Sequence, residues 1–189
     1  KIKNSKTIYI IPSTRLVYSN KVKSPLSEKT KIKNISNIYG KNKRKIEIMV
    51  SKMLKQNFLI LRIATILLFD TSKRDLFSSR ILRSLKYKKK LNFDLSPTSQ
   101  KDFITIEFLS NCIDKLIINN EKGIFNISSG IPITIKEVLD SIISGFGSGK
   151  VFYKNINKFE NYFLSNKKLK NKIKFSISKK YILKYCQNL

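Results

Sequence analysis

Histidine and tryptophan are absent from the sequence, and cysteine occurs only twice. Without histidine there is no Ser-His-Asp triad, no imidazole general base and no histidine-bearing zinc site. Cys112 and Cys186 are too few for a four-thiolate metal cage or a disulfide framework, so no metal site is expected. Acidic residues are scarce as well, 12 against 39 Lys and Arg, which leaves a formal charge of +27 on 189 residues. No apolar run reaches the roughly 20 residues that a membrane-spanning helix needs. The longest, Phe58 to Phe69, is interrupted by Arg62 and reads as a buried strand. No charged segment followed by an apolar run and a small-residue cleavage site opens the chain, and Lys1 reads as a start inside a longer sequence. The expectation is a cytoplasmic protein of which this chain is one part, with no membrane partner.

What is present is an apolar fraction of 41%, enough for a buried core and far above what a disordered chain carries. The positive charge invites a nucleic-acid reading, because clustered Lys and Arg gain affinity by releasing counterions from phosphates. Here the lysines are spread over the whole chain and travel with Asn and Ile, as an AT-rich coding sequence would produce. Runs such as Lys41 to Lys45 and Lys86 to Lys90 sit among amphipathic segments and read as solvated faces. No zinc-finger, basic-zipper or aromatic RNA-binding signature accompanies them, so no nucleic-acid partner is expected.

Thr7-Ile-Tyr-Ile-Ile11 reads as a buried strand ended by Pro12, and residues 20–34 as a polar loop. Ser36 is placed to cap a helix running to about Lys55, with Ile38, Ile46, Met49, Val50 and Met53 at helical spacing. A strand from Phe58 to Ile66 follows. Strand, helix, strand is a βαβ unit, whose right-handed crossover makes the strands parallel. Downstream the pattern predicts a short helix through Leu76 to Leu85, a strand near Phe103 to Ile106, a helix from about Glu107 to Ile118 and a strand Gly123 to Ile127. Thr134 and Glu137 have the spacing of a capping box for a helix that Gly145-Phe-Gly-Ser-Gly149 stops. A strand Lys150 to Tyr153 and a helix from about Ser178 to Cys186 complete the pattern. No internal repeat or low-complexity tract is visible.

The sharpest chemical feature is Tyr39 with Lys43 one turn further along the same helix. Residues four apart share a helix face, so the ammonium can lie beside the phenol. A phenol of ordinary pKa, about 10, is a poor base near neutrality, and an adjacent cation favours its ionised form. Alone, such a pair arises by chance in a lysine-rich chain. Its surroundings are more specific: a strand leading into Pro12-Ser-Thr-Arg-Leu-Val-Tyr18, a polar loop, the Tyr39/Lys43 helix, then a strand carrying Leu61-Arg62-Ile-Ala-Thr65. Further on come Lys101-Asp-Phe-Ile104, and Gly123-Ile-Phe-Asn-Ile-Ser-Ser-Gly130 followed by Thr134-Ile-Lys-Glu137.

These segments, in this order over about residues 7 to 145, resemble the NAD-dependent epimerase/dehydratase family of the extended short-chain dehydrogenase/reductase superfamily. The resemblance implies an α/β fold: a partial Rossmann-like parallel sheet made of its late strands over residues 1–70, then a smaller α/β substrate-binding domain over residues 71–189. It implies hydride and proton transfer at a ring carbon of a nucleotide-activated sugar for surface polysaccharide, with NAD or NADP as cofactor and a homodimer through the catalytic helix. Thr14 matches the family's catalytic Ser/Thr and Tyr39 its general acid or base. Lys43 matches the activator, which with Tyr39 also holds the nicotinamide ribose. Ser13 is an alternative hydroxyl donor to the substrate. Thr65 stands where the family often has Asn near the substrate diphosphate, and Lys101 where it has Arg, keeping the charge without the bidentate fork. For Asp102, Asn126 and Gly130 structural roles are expected: a loop-ordering carboxylate, a turn amide and a positive-φ glycine.

Enzymes of this fold hold the dinucleotide pyrophosphate at a glycine-rich turn after the first strand. No such turn precedes Thr7, and Gly145 to Lys150 follows a helix and fails the phosphate-loop template at Ser144 and Val151. The chain therefore reads as the C-terminal portion of the enzyme, inactive by itself. A non-catalytic remnant or interaction subunit of the same fold is the alternative, and a basic nucleic-acid-binding protein the more distant one.

Overall fold

The computed structural model describes residues 7–19, 24–69 and 76–188. Three parallel strands form the main sheet: β1 (Tyr9–Thr14), β2 (Phe58–Ile63) and β7 (Gly123–Ile127), in the order β1-β2-β7. Between β1 and β2 the chain makes a 3-10 turn (Arg15–Val17) and helix α1 (Ile38–Leu54). This is the expected βαβ unit. The central strand β2 is apolar on both faces, as a covered parallel strand must be. Leu59 and Leu61 enter the larger core with Phe125 and Ile127, whereas Phe58 and Ile60 meet Val50 of α1. Because β7 lies in the same sheet, that sheet draws on residues from both sides of position 70.

Two strand boundaries differ from expectation for physical reasons. β1 does not stop at Pro12 but runs through it to Thr14. The Tyr9 N–H bonds toward β2, at the Asn57 carbonyl. Residue parity therefore turns Pro12 to the other edge, where no ladder N–H is required. The strand expected over Phe58 to Ile66 is two: β2 ends at Ile63, and after Ala64 the chain continues as β3 (Thr65–Leu67), which pairs in parallel with β6 (Phe103–Thr105). The α1 cap is Asn37, not Ser36; the Asn37 carboxamide accepts the Gly40 N–H.

Around this sheet lie α2 (Phe77–Lys88), the parallel pair β4 (Lys90–Phe93) and β9 (Lys150–Tyr153), and the antiparallel pair β5 (Gln100–Lys101) and β8 (Ile133–Thr134). Helices α3 (Ile106–Ile118), α4 (Ile135–Phe146), α5 (Lys167–Ile173) and α6 (Lys179–Gln187) complete the fold. α4 starts with the anticipated Thr134/Glu137 capping box and ends at Gly147, in the left-handed region at φ 79°. A second core joins α2, α4, α6 and β6 through Ile81, Leu85, Phe103, Leu139, Ile142 and Ile182. Among the described residues no helix is long and apolar enough to cross a membrane.

Candidate active site

The site is built where β1 and β2 end. Thr14 closes β1 and caps the 3-10 turn, its hydroxyl oxygen accepting the Leu16 N–H at 3.3 Å. α1 packs against that turn at Gly40, where a Cβ would stand 2.1 Å from the Leu16 carbonyl oxygen. The residue after Tyr39 must therefore lack a side chain for the phenol to come beside the strand end. The result is a cleft of about 300 Å³ lined by Ser13, Thr14, Arg15, Tyr39, Thr65 and Phe77, among others. Tyr39 is 53% exposed. Four positions further on, the Lys43 ammonium lies 5.7 Å from the Tyr39 ring centroid and donates to the Pro12 carbonyl at 2.9 Å, on the edge of β1 away from β2.

Of the residues singled out in the sequence, Ser13, Thr14, Tyr39 and Thr65 share this cleft, and Lys43 sits at its Pro12 margin. Ser13 is committed differently from Thr14: its hydroxyl donates to Glu47 at 2.6 Å in the interior. Lys101 does not line the cleft. It borders two adjoining hollows, of about 220 and 290 Å³, that meet the cleft at Arg15, and the smaller also shares Thr65 and Phe77 with it. Lys101 pairs with Glu160, and burial lowers its ammonium pKa despite that partner.

Behind the cleft runs a buried polar network that the sequence did not announce. Glu47, one turn beyond Lys43 on α1, is fully buried and takes both forks of Arg62, Nε at 3.0 Å and Nη2 at 2.8 Å. Arg44 also donates to it, at 2.9 Å. Burial alone would raise the Glu47 carboxyl, but the Arg62, Ser13 and Arg44 donors outweigh it and hold the group below the ordinary carboxylate range. Arg62 also donates to the Tyr18 hydroxyl at 2.9 Å, and that hydroxyl donates to the Asn126 side chain at 2.8 Å. The signal was Arg62 itself, since a guanidinium inside an otherwise apolar strand demands a buried acceptor.

Asp102 and Gly130 have the structural surroundings expected of them, whereas Asn126, expected as a turn amide, lies inside strand β7 and opposite Arg62. The Asp102 carboxylate is fully buried and accepts from the Ser129 N–H and hydroxyl and from the Gly130 and Leu164 N–H groups, tying three segments together. Burial nevertheless pushes its pKa up to about 6. The Asn126 amide donates to the Leu26 and Ser165 carbonyls. Gly130 has φ 69°, and a Cβ there would meet Asn166 at 2.5 Å.

No protein-family model matches the sequence, and neither does any curated protein. Solved structures do match in fold. A UDP-N-acetylglucosamine 4-epimerase from Methanobrevibacter ruminantium M1, in complex with UDP-N-acetylmuramic acid, superposes with a TM-score of 0.77 at 14% identity over 95% of this chain and 60% of its own. TunA, an NAD-dependent NDP-hexosamine 5,6-dehydratase of tunicamycin biosynthesis, gives 0.80 at 16% identity over 96% of this chain and 61% of its own. A dTDP-glucose 4,6-dehydratase from Bacillus anthracis, in complex with NAD, gives 0.76 at 17% identity, covering 95% and 60%. The architecture is thus the Rossmann-like α/β fold of the C-terminal part of such epimerases and dehydratases. The chain spans about 60% of the length of these structures.

Proposed function

We propose that this chain is the catalytic and substrate-binding part of an NAD(P)-dependent nucleotide-sugar epimerase or dehydratase. The observation that carries this reading is the meeting of the Thr14 hydroxyl and the Tyr39 phenol in one cleft, with the Lys43 ammonium against the Tyr39 ring. In this reading Tyr39 takes a proton from, or returns it to, a hydroxyl of the sugar ring. Thr14 hydrogen-bonds the same oxygen, and Lys43 keeps its ammonium beside the Tyr39 ring. Thr14 is preferred over Ser13 because the Ser13 hydroxyl is already given to Glu47.

A nicotinamide cofactor would supply the hydride acceptor and donor. The exposed Tyr39 phenol and the Lys43 ammonium on the edge of β1 fit its ribose end. The glycine-rich turn that would hold its pyrophosphate is not among these 189 residues. Together with the partial coverage of the similar structures, this supports reading the chain as the late part of a longer enzyme, without turnover alone. Residues 1–70 would face the cofactor and residues 71–189 the nucleotide sugar, with Thr65 and Lys101 toward its diphosphate. The second reading is a remnant of the fold kept for interaction. The coding sequence upstream separates the two: a strand followed by Gly-x-x-Gly-x-x-Gly supports the enzyme, and its absence supports the remnant.

The enzyme reading is tested by incubating the full-length protein with NAD and UDP-glucose, UDP-N-acetylglucosamine or dTDP-glucose and following the sugar by NMR. An epimeric or keto-sugar product is expected from at least one. Unchanged substrate throughout would remove this activity.

A further inference from the structure

Arg15 follows the proposed hydroxyl partner Thr14 directly and borders the cleft and both adjoining hollows, so it stands where the Thr14/Tyr39 cleft meets the Lys101 compartments. Its guanidinium lies 4.8 Å from the Tyr162 ring centroid. Tyr162 is itself pinned, its hydroxyl donating to the Arg15 and Tyr18 carbonyls. A guanidinium stacked on a ring keeps its in-plane N–H groups available for an acceptor at its edge. Burial lowers the Arg15 pKa even though Tyr162, Asp102 and Glu160 favour its charge, so the cation is held partly out of water.

The negative charge around it is nearly all committed. Both Asp102 oxygens are taken by hydrogen-bond donors from residues 129, 130 and 164. Asp94 pairs with Lys158 at 2.7 Å. Glu160 pairs with Lys101. Among the described ion pairs none includes Arg15. Arg15, Lys101 and Glu160 line one hollow, in which Glu160, its side chain 38% exposed, is paired among the described residues to Lys101 alone.

The geometry points to an oxyanion seat formed by Arg15 and Lys101 next to Thr14, in which Glu160 is a placeholder that an anionic group of the substrate displaces. The inference rests on the reading of the cleft as a nucleotide-sugar site. The group it takes is a substrate oxyanion, either the diphosphate of the nucleotide or a carboxylate on the sugar. Glu160 then raises the threshold for binding: a ligand must offer Arg15 and Lys101 more than Glu160 does.

Isothermal titration of the full chain at fixed ionic strength with pyrophosphate, UDP, UDP-glucose and UDP-glucuronate tests this, using Arg15→Gln and Glu160→Gln. Removing a charge-assisted partner should weaken binding roughly 10- to 100-fold in Arg15→Gln. Glu160→Gln should strengthen it several-fold, a gain that a misfolded variant cannot mimic. A diphosphate in the seat makes pyrophosphate and UDP sensitive to Arg15. A sugar carboxylate makes only UDP-glucuronate so. UDP-glucose binding with no change in either variant for any probe overturns the seat and leaves the nucleotide-sugar reading intact. Arg15-dependent pyrophosphate binding with no UDP-sugar binding keeps the seat and removes that reading. Weaker binding in Glu160→Gln, or no binding of any probe by either protein, overturns the seat.

Discussion

Asp102 and Glu47 are both buried carboxylates, yet their surroundings drive them in opposite directions. Asp102 has no buried cation paired to it and is pushed up to about 6, above the ordinary value of about 3.9. The folded state therefore holds a proton that the unfolded state releases. Its contribution to stability is complete below about pH 4 and is lost as pH rises through about 6. Over that window the loss is of the order of 3 kcal/mol. Urea denaturation between pH 4 and 7 should show this decline, and Asp102→Asn should flatten it; equal slopes in the two proteins would refute the assignment. Glu47 has the reverse sign. Held low by Arg62, Ser13 and Arg44, it contributes stability present above the ordinary carboxylate range and lost as pH falls through its lowered value. Removing it strands Arg62, which is 1% exposed. Glu47→Ala should cost about 3 to 5 kcal/mol, whereas the double change Glu47→Leu with Arg62→Met should recover much of that. An equal loss in the double variant would mean that the pair does not act as a unit.

At the scale of elements, α1 carries most of what the site needs, and it was largely legible in the sequence. Its position between two strands and the Tyr39/Lys43 spacing follow from local pattern, as does the capping box of α4, whereas the α1 cap fell on Asn37 and not on the expected Ser36. The α5 helix was not legible, because its only buried residues, Leu169 and Ile173, give a single apolar contact row among lysines. Nor was β4, hidden in the basic run ending at Lys90, where only Leu91 is buried and Phe93 half-buried. Its pairing with β9, some sixty residues away, is a long-range event that no local signal encodes. For the Glu47–Arg62 pair only half of the signal was local: Arg62 inside an apolar strand called for a buried acceptor, but nothing near Glu47 marked it as that acceptor. One further feature of α1 became visible only in three dimensions: of its expected apolar stripe only Val50 is buried, while Ile46, Met49 and Met53 face outward, with Ile48 exposed as well. We propose that a homodimer through α1, which the family resemblance implies, covers this face. Sedimentation should show twice the chain mass, and Met49→Glu should return it to one; a monomer at every concentration would exclude the contact.

For the molecule as a whole, the strand-end cleft and the basic surface are separate matters. Exposed lysines are carried by α1, α2, α5 and α6 alike, so the charge of +27 belongs to no single element, while the cleft draws on residues at the ends of β1 and β2, on β3 and on the starts of α1 and α2. Parallel α/β sheets place their chemistry outside the carboxyl ends of their strands, and Thr14 ends β1 in this way. The most direct test of the proton-transfer assignment is the turnover of a nucleotide sugar by the full-length protein with Tyr39→Phe, which removes one oxygen and leaves the ring beside Lys43. A fall in kcat of about 10²- to 10⁴-fold, with KM little moved, is the predicted result. Turnover equal to that of the unaltered protein would contradict it.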